Sequence, residues 1–309
     1  MKKINTVLYY LLVIFSVLIV VGSILSVFRN TPSHFLKILD FPRIQFFIIA
    51  VISLTILVLM DDKKNWLRYT LLIGLGLAIA IQGTYILNYT PIVAKSVPDA
   101  SGDLQEEDIV SLLIVNVKMS NRNEQPMINL VNRLEPDLVL AIEVFVWLGK
   151  APKPVAAKYP YSKAVLNDLT YEMSLYSKFP FKDLSVNYFT HENVPSFSAT
   201  LTLENEKDIH LHTVHPPPPL NYEHLPDNKG EKEKTLTKVG DLVEQSPLPS
   251  IVAGDFNDVA WSSTEGMTRA RNQLKDVRVG RGFFNSFNAK NFLMRWPLDH
   301  VFVTKEFSL

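Results

Sequence analysis

The sequence predicts an α/β fold, a four-layer α/β sandwich of two packed mixed β-sheets flanked by helices, preceded by three transmembrane helices. Two observations lead to this prediction. Apolar residues are concentrated near the N-terminus, in runs close to the length that crosses a bilayer. The remaining residues contain many short β-branched segments and few helical patterns. Such a pattern is typical of sheets packed face to face with helices outside.

Three uncharged apolar runs lie at positions 7–28, 45–60 and 70–87. We interpret residues 1–89 as a membrane anchor with three transmembrane helices. Two alternatives stay open. The first run, which follows Lys2 and Lys3, also fits a cleaved signal peptide, although its apolar core is long for one. The second run is short enough for a buried helix of a soluble protein, although the charged residues 61–64 end it abruptly.

The basic residues around these runs predict an orientation. Lys2 and Lys3 precede the first run, and further basic residues separate the second run from the third. The positive-inside rule then places the N-terminus in the cytoplasm and the soluble domain outside, as a multi-pass protein of the inner or plasma membrane. The first connecting loop carries nearly the same positive charge, so this prediction rests on a small difference. The absence of cysteine fits an oxidising compartment.

The region after the anchor divides into a linker and a domain. Residues 90–108 combine proline, serine, glycine and acidic residues without periodicity, which predicts a linker. Residues 109–309 are expected to form the domain. From residue 90 onward, 23 lysines and arginines stand against 28 aspartates and glutamates, a net charge of −5. No strong basic patch indicates a nucleic-acid partner.

Hydrophobic periodicity predicts the elements of this domain. Predicted strands lie at 109–115, 138–142, 172–177, 198–203, 209–214, 250–253 and 300–304. Predicted helices lie at 124–134, 231–244 and 264–274.

Polar side chains lie at the ends of these predicted strands. They are Asn116, Glu143, His215, Asp255, Asn257 and Asp299. If the strands lie side by side, these side chains converge on one rim, where carboxylate and amide oxygens suit Mg²⁺ or Mn²⁺. Taken singly, each residue also fits a turn, a solvated strand end or a histidine bonded to the backbone. The segment 254–258 is more specific, because alternation turns Asp255 and Asn257 to one side and Phe256 to the other.

Five segments together resemble the endonuclease/exonuclease/phosphatase superfamily, which has a deoxyribonuclease-like fold. In chain order they are IVNVKMSN, PDLVLAIEV, TVHPPPP, IVAGDFND and PLDHVFV. The preceding apolar helices resemble a membrane-anchored bacterial branch of that superfamily. The resemblance spans nearly the whole predicted domain.

The resemblance implies a Mg²⁺- or Mn²⁺-dependent phosphoesterase, with a role for each residue at the rim. Asn116 and Glu143 match metal-site residues, and Asp255 matches the group that orients or deprotonates the attacking water. Asn257 matches a stabiliser of the phosphoryl oxygens, and His215 matches a contact to the phosphate or leaving group. The expected partners are the lipid bilayer and a phosphate ester: a nucleic acid, a nucleotide, or a lipid or sugar phosphate.

The sequence departs from the family pattern at its C-terminus. In the family, the aspartate that corresponds to Asp299 orients a histidine from a later Ser-Asp-His segment, whereas this sequence stops at Leu309. We therefore expect the domain to lack its last strand. His300 is an unsuitable substitute, because it follows Asp299 in a strand and points to the opposite face. A catalytically impaired member that acts as a metal- or phosphate-binding scaffold stays open as the alternative function.

Overall fold

The computed structural model describes residues 6–29, 33–60, 66–102, 104–118, 120–144, 153–167, 171–219, 230–262 and 273–309, together with positions 267 and 270. In these residues, apolar helices pack against a domain built from two β-sheets.

The N-terminal part is a bundle of apolar helices. It comprises α1 Thr6–Leu25, the short α2 His34–Lys37, α3 Arg43–Leu59 and α4 Trp66–Ile86. All three predicted apolar runs form helices, but only two helices in the described part of the chain are long and apolar enough to cross a membrane. The exception is α3, whose 17 residues span about 26 Å, less than the roughly 30 Å of a hydrocarbon core. By length and composition, the structure therefore has two candidate spans where three were predicted.

A buried arginine joins the three helices at the end of the bundle nearest the domain. Arg43, at the start of α3, is fully buried, and its guanidinium donates to Asp40, Ser26 and Gln82. It also lies 3.7 Å from the ring centre of Tyr85. A buried charge needs partners for its hydrogen-bonding groups. Here the partners of Arg43 include Ser26, which follows α1, and Gln82, which lies within α4, so the cluster links the three helices.

The domain contains ten strands in two sheets. The strands are β1 Leu112–Asn116, β2 Leu138–Ile142, β3 Tyr161–Val165, β4 Met173–Ser177, β5 Phe181–Asn187, β6 Ser196–Thr202, β7 Asp208–Thr213, β8 Ser250–Asp255, β9 Lys275–Asp276 and β10 Asp299–Val303. Sheet A has the order β1-β2-β4-β3, and sheet B has the order β5-β6-β7-β8-β10-β9. Both sheets are mixed, because β1 pairs with β2 and β7 with β8 in parallel while the other pairs are antiparallel.

Apolar side chains hold the sheets together in the predicted four layers. Residues of both sheets, such as Leu140, Leu175, Phe197 and Leu211, form a core between the sheets. Helix α5, Gln125–Leu134, covers the outer face of sheet A, together with the short α6, Lys153–Ala156. Helix α7, Glu231–Gln245, covers the outer face of sheet B. The order of layers is therefore helix, sheet, sheet, helix, as expected from the sequence.

Most predicted elements form within a few residues of their predicted bounds, but three strands were missed. Strand β3 is largely exposed, strand β5 mixes exposed and half-buried positions without a regular alternation, and β9 has only two residues. Much of the predicted helix at 264–274 lies outside the described residues.

The segment predicted as a linker, 90–108, lies against the domain. Val97 is buried in the core between the sheets, because its apolar side chain fills space there. The backbone of Ala100 donates to Leu309, and Leu309 donates to Pro98, at 2.7 and 3.0 Å. The segment therefore packs against the domain and is not an extended linker. The division of the chain into an anchor, a linker and a domain stays a prediction.

Direct contacts join the helical bundle to the domain. The indole of Trp261 donates to the backbone oxygen of Asp40 at 2.7 Å, and the hydroxyl of Tyr89 donates to the backbone oxygen of Ala260 at 2.6 Å. Arg29 donates to the backbone oxygen of Trp261. These contacts tie the ends of α1 and α4 and the start of α3 to a loop that follows β8.

We expect Arg43→Met to destabilise this bundle, because the substitution leaves the Asp40 carboxylate buried without its partner. The loss of unfolding free energy should be about 3–5 kcal/mol. Thermal unfolding of the detergent-solubilised chain, followed by tryptophan fluorescence, measures it. Arg133→Met, at an exposed position on α5, is the control and should change little. Adding Asp40→Asn to Arg43→Met should recover part of the loss, and a double variant no more stable than the single one would contradict this explanation.

Candidate active site

The two sheets bring four predicted site residues to one rim. Asn116 ends β1 and Glu143 directly follows β2, so both lie at the same edge of sheet A. Asp255 ends β8 and pairs with Asp299 at the start of antiparallel β10, at the corresponding edge of sheet B. The convergence expected from strand ends is therefore present.

The amide of Asn116 bridges the two sheets. Its Nδ2 donates to Glu143 Oε1 at 2.8 Å and to Asp255 Oδ2 at 3.1 Å. Its Oδ1 accepts a hydrogen bond from the backbone N–H of Lys118 at 2.9 Å, which orients the amide. Glu143 has a φ of 55°, in the left-handed region that costs a residue with a side chain about 1 kcal/mol or more. This backbone turn directs the Glu143 side chain toward Asn116.

The turn after β8 separates polar from apolar side chains as the sequence predicts. Asp255 Oδ1 accepts a hydrogen bond from the backbone N–H of Asn257 at 2.8 Å, and Asn257 Nδ2 donates to the backbone oxygen of Pro216 at 3.0 Å. Phe256 points the other way, is fully buried and stacks on His300, with ring centres 4.4 Å apart. The turn therefore holds Asp255 at the rim while Phe256 anchors it in the core.

Gly254 is required for this turn to pack against β7. Its φ is +150°, and a Cβ at this position would lie 1.9 Å from the backbone oxygen of Val214. A side chain is therefore excluded unless the two strands separate.

His215 lies beneath the rim and is almost completely buried. Its ring centre is 5.4 Å from that of Tyr171, and its Nδ1 has no hydrogen-bond partner among the residues described. Burial lowers the pKa of His215, although the charges of Asp255 and Glu143 oppose the shift. The imidazole is therefore neutral at physiological pH, with one nitrogen as donor and the other as acceptor.

Asp299 has an altered pKa. Burial, and then the neighbouring charge of Asp255, raise the pKa of Asp299 to about 7, while a hydrogen bond with Ser286 and the charge of Arg278 oppose the shift. Two carboxylates side by side resist simultaneous ionisation, so this pair favours a shared proton or a bound cation.

The structure also places Arg278, which no pattern in the sequence indicates, beside Asp299. Arg278 is buried, donates from Nη1 to the backbone oxygen of Asp299 at 3.0 Å, and forms an ion pair of 2.8 Å with Asp276. Its Nη2 lies 2.8 Å from Nδ1 of His300. His300 is fully buried, in agreement with the packing role expected for it. Arg278 follows a two-residue strand, so no periodic pattern in the sequence pointed to it.

Oxygen donors at the rim fit a divalent cation of the kind that the sequence predicts. Within the described residues, no group of three or more His, Asp or Glu side chains is arranged to hold a metal alone. Mg²⁺ does not need such a cage, because it binds through one or two carboxylates and completes its shell with water and phosphate oxygens. Two buried cationic side chains already have acidic partners: Lys232 forms an ion pair with Asp258, and Arg278 forms one with Asp276. Glu143 is a suitable ligand for a cation, and Asn116 can ligate one only through Oδ1, which has one lone pair left beside the hydrogen bond from Lys118.

A surface cavity of about 190 Å³ opens beside the rim. It lies between the end of β1 and the start of α5, and its lining includes Asn116, Asn121, Asn123 and Glu124. Several polar side chains therefore line this cavity next to Asn116.

We expect the Asp299 carboxyl to make stability depend on pH in metal-free buffer. The unfolded chain releases this proton near 3.8 and the folded chain near 7, so the folded state binds more protons between these values. The free energy of unfolding should therefore fall as pH rises from about 4 to about 7. Chemical denaturation across this range measures the effect. The Asp299→Asn variant should show a shallower fall, and identical slopes for both proteins would contradict the assignment.

Comparisons with known proteins identify the family of this chain. A sequence profile of the Endonuclease/Exonuclease/phosphatase family matches residues 113–309. No match to a curated protein is found. Similar solved structures include D. rerio TDP2 complexed with a single-strand DNA product (17% identity, 63% of this chain, 84% of that chain, TM-score 0.49). Another is an endonuclease/exonuclease/phosphatase from Beutenbergia cavernae (16% identity, 63% of this chain, 64% of that chain, TM-score 0.48). A third is the human nocturnin catalytic domain with bound sulfate (13% identity, 63% of this chain, 83% of that chain, TM-score 0.46). Since the profile covers more than half of the sequence, the chain belongs to the Endonuclease/Exonuclease/phosphatase family.

Proposed function

We propose that this protein is a membrane-anchored, divalent-metal-dependent phosphoesterase that hydrolyses a phosphodiester or phosphomonoester. The observation that carries the proposal is the pair of hydrogen bonds from Asn116 to Glu143 and Asp255, which gathers oxygen donors of both sheets at one rim. Membership of the family supports a hydrolase of phosphate esters. The dependence on Mg²⁺ or Mn²⁺ is part of the proposal.

Glu143 and the carboxamide of Asn116 are the residues that we assign to the cation. When bound, Mg²⁺ or Mn²⁺ neutralises phosphate charge and polarises the phosphorus atom. The Asn116 amide also keeps Glu143 close to Asp255, so the same residue sets the spacing between the cation and the water-activating carboxylate.

Asp255 is the proposed general base. Its two oxygens already accept hydrogen bonds from Asn116 and from the backbone of Asn257, which fixes the plane of the carboxylate. Each oxygen retains a further lone pair that can orient a water molecule and accept its proton. The oxygen of this water attacks phosphorus, and the bond from phosphorus to the leaving oxygen breaks.

The remaining rim residues contact the phosphoryl and leaving oxygens in this proposal. Asn257 Nδ2 uses one N–H on Pro216, which leaves the second N–H for a phosphoryl oxygen. His215 is neutral and so offers an N–H donor to the leaving oxygen. With a raised pKa, Asp299 keeps its proton over much of the range below pH 7 and can donate a hydrogen bond to a phosphoryl oxygen.

The membrane anchor is the second part of the proposal. The helices α1 and α4 are the candidate spans, and α3 lies with them in the same bundle. The domain contacts one end of this bundle, whereas Lys2, Lys3 and the basic residues around position 64 flank its opposite end in the sequence. We propose an N-terminus in the cytoplasm and an extracytoplasmic domain.

A scaffold that binds metal or phosphate without turnover is the second candidate function. The observation that favours it is the position of the histidines. Among those in the described part of the chain, His215 lies nearly buried beneath the rim and His300 is packed between Phe256 and Arg278. Neither presents an exposed imidazole to a phosphate.

We expect the purified full-length chain to hydrolyse bis(4-nitrophenyl) phosphate or 4-nitrophenyl phosphate with Mg²⁺ or Mn²⁺, and to lose this activity in excess EDTA. Glu143→Gln and Asp255→Asn should each lower kcat/KM by about 100-fold or more, because they remove a cation ligand and the base. Asp208→Asn is the control, since Asp208 lies at the opposite end of β7 and pairs with Lys182 at 2.7 Å.

Three results separate the candidates. Activity that survives EDTA contradicts the metal-dependent mechanism. A rise in melting temperature with Mg²⁺, without turnover of either ester, favours the scaffold. Equal losses in Asp208→Asn and Asp255→Asn would show that the rim has no special role.

A further inference from the structure

An apolar loop projects from the domain close to the bundle. We define it as residues 283–296, between β9 and β10. At its tip Phe292 is 91% exposed, and the neighbouring Leu293 and Met294 are 73% and 54% exposed. Three consecutive exposed apolar side chains are unusual on a domain surrounded only by water, and they indicate a partner.

Hydrogen bonds give the apolar loop a defined shape. Phe287 and Trp296 pair through their backbones and stack their rings, which closes the neck of the loop. At the tip, Asn291 Oδ1 accepts hydrogen bonds from the backbone N–H groups of Leu293 and Met294, both at 3.0 Å. The loop therefore satisfies these two backbone donors internally, as a segment that enters an apolar medium must.

The apolar loop is attached to the start of α3. The Gln45 side chain donates to the backbone oxygen of Leu293 at 2.7 Å. The ring of Phe41 contacts that of Trp296 edge-on, with ring centres 5.5 Å apart. These contacts place the tip alongside the first turn of an apolar helix, and this first turn is the end of the bundle that contacts the domain. Aromatic residues at such a level are typical of the membrane–water interface.

The charge of the apolar loop also fits a bilayer. Its only ionisable residues are Lys290 and Arg295, and both are exposed. Cationic side chains beside an apolar tip are attracted to anionic lipid headgroups, and their long stems reach the interface while the apolar side chains enter it. A second protein is a less suitable partner, because the contacts with Gln45 and Phe41 already bring the tip to the helices that the proposed anchor embeds in lipid.

We propose that the apolar loop inserts its tip into the interfacial region of the bilayer, as an attachment additional to the helices. This proposal rests on the membrane anchoring proposed above. It has a consequence for the rim, because Asp299 follows Trp296 by three residues and so lies within about 11 Å of it along the backbone. The loop then holds the candidate active site close to the membrane surface, within reach of phosphate esters carried there.

Site-directed spin labelling of the full-length chain tests this proposal. The sequence contains no cysteine, so Phe292→Cys gives one labelled position. The chain is reconstituted into vesicles of phosphatidylcholine and phosphatidylglycerol, and the accessibility of the nitroxide to oxygen and to a water-soluble nickel chelate is measured. Ile14→Cys, in the middle of α1, is the lipid control. Leu134→Cys, 55% exposed at the end of α5, is the water control.

We expect the ratio of oxygen to nickel accessibility at position 292 to exceed that at position 134 several-fold and to approach that at position 14. A water-like ratio at 292 with a lipid-like ratio at 14 overturns the loop proposal while the anchor stands. A label at 292 that is shielded from both reagents also overturns it, because protein then covers the tip. A water-like ratio at 14 overturns the anchor and, with it, the loop proposal that rests on the anchor.

Discussion

The hydrogen bonds from the Asn116 amide to Glu143 and Asp255 are the interaction on which the site depends, because they join two sheets that do not share a strand. These bonds form only if the ends of β1 and β8 meet at one edge. The apolar core between the sheets enforces that meeting, with Leu140 and Leu175 of sheet A packed in the same cluster as Phe197 and Leu211 of sheet B. The geometry of the rim is thus a consequence of core packing.

The carboxyl groups that meet at the rim concentrate negative charge there, and this charge needs a counter-charge. Asp255 and Asp299 are neighbours across two paired strands, and the raised pKa of Asp299 reflects its burial and that proximity. The charge of Arg278 relieves this repulsion only in part, because Arg278 is paired with Asp276 and donates to the backbone oxygen of Asp299. A proton or a cation is the natural counter-charge, which connects the electrostatics of the fold to the proposed chemistry.

The sequence predicted those parts of the structure that follow from local pattern. Strand β2 and helix α5 have clear periodicity, and the turn at Asp255 is specified by alternation around Phe256, so their positions were predictable. Strand β3 was missed because its exposed residues show no alternation. Arg278 was missed because its role arises from contacts with Asp299 and His300, about 20 residues away. No local pattern contains such information.

The helical bundle and the domain form a continuous structure through Trp261, Tyr89 and the loop that contacts Gln45. This continuity gives the rim a fixed position relative to the helices. At the rim, Glu143 and Asn116 of sheet A are proposed to bind a divalent cation. Anomalous diffraction from crystals of the protein grown with Mn²⁺ tests that claim most directly. We expect an anomalous peak within bonding distance of a Glu143 oxygen and adjacent to Asn116. A Mn²⁺ peak only elsewhere, or no peak at saturating Mn²⁺, would contradict the assignment of the cation to these residues.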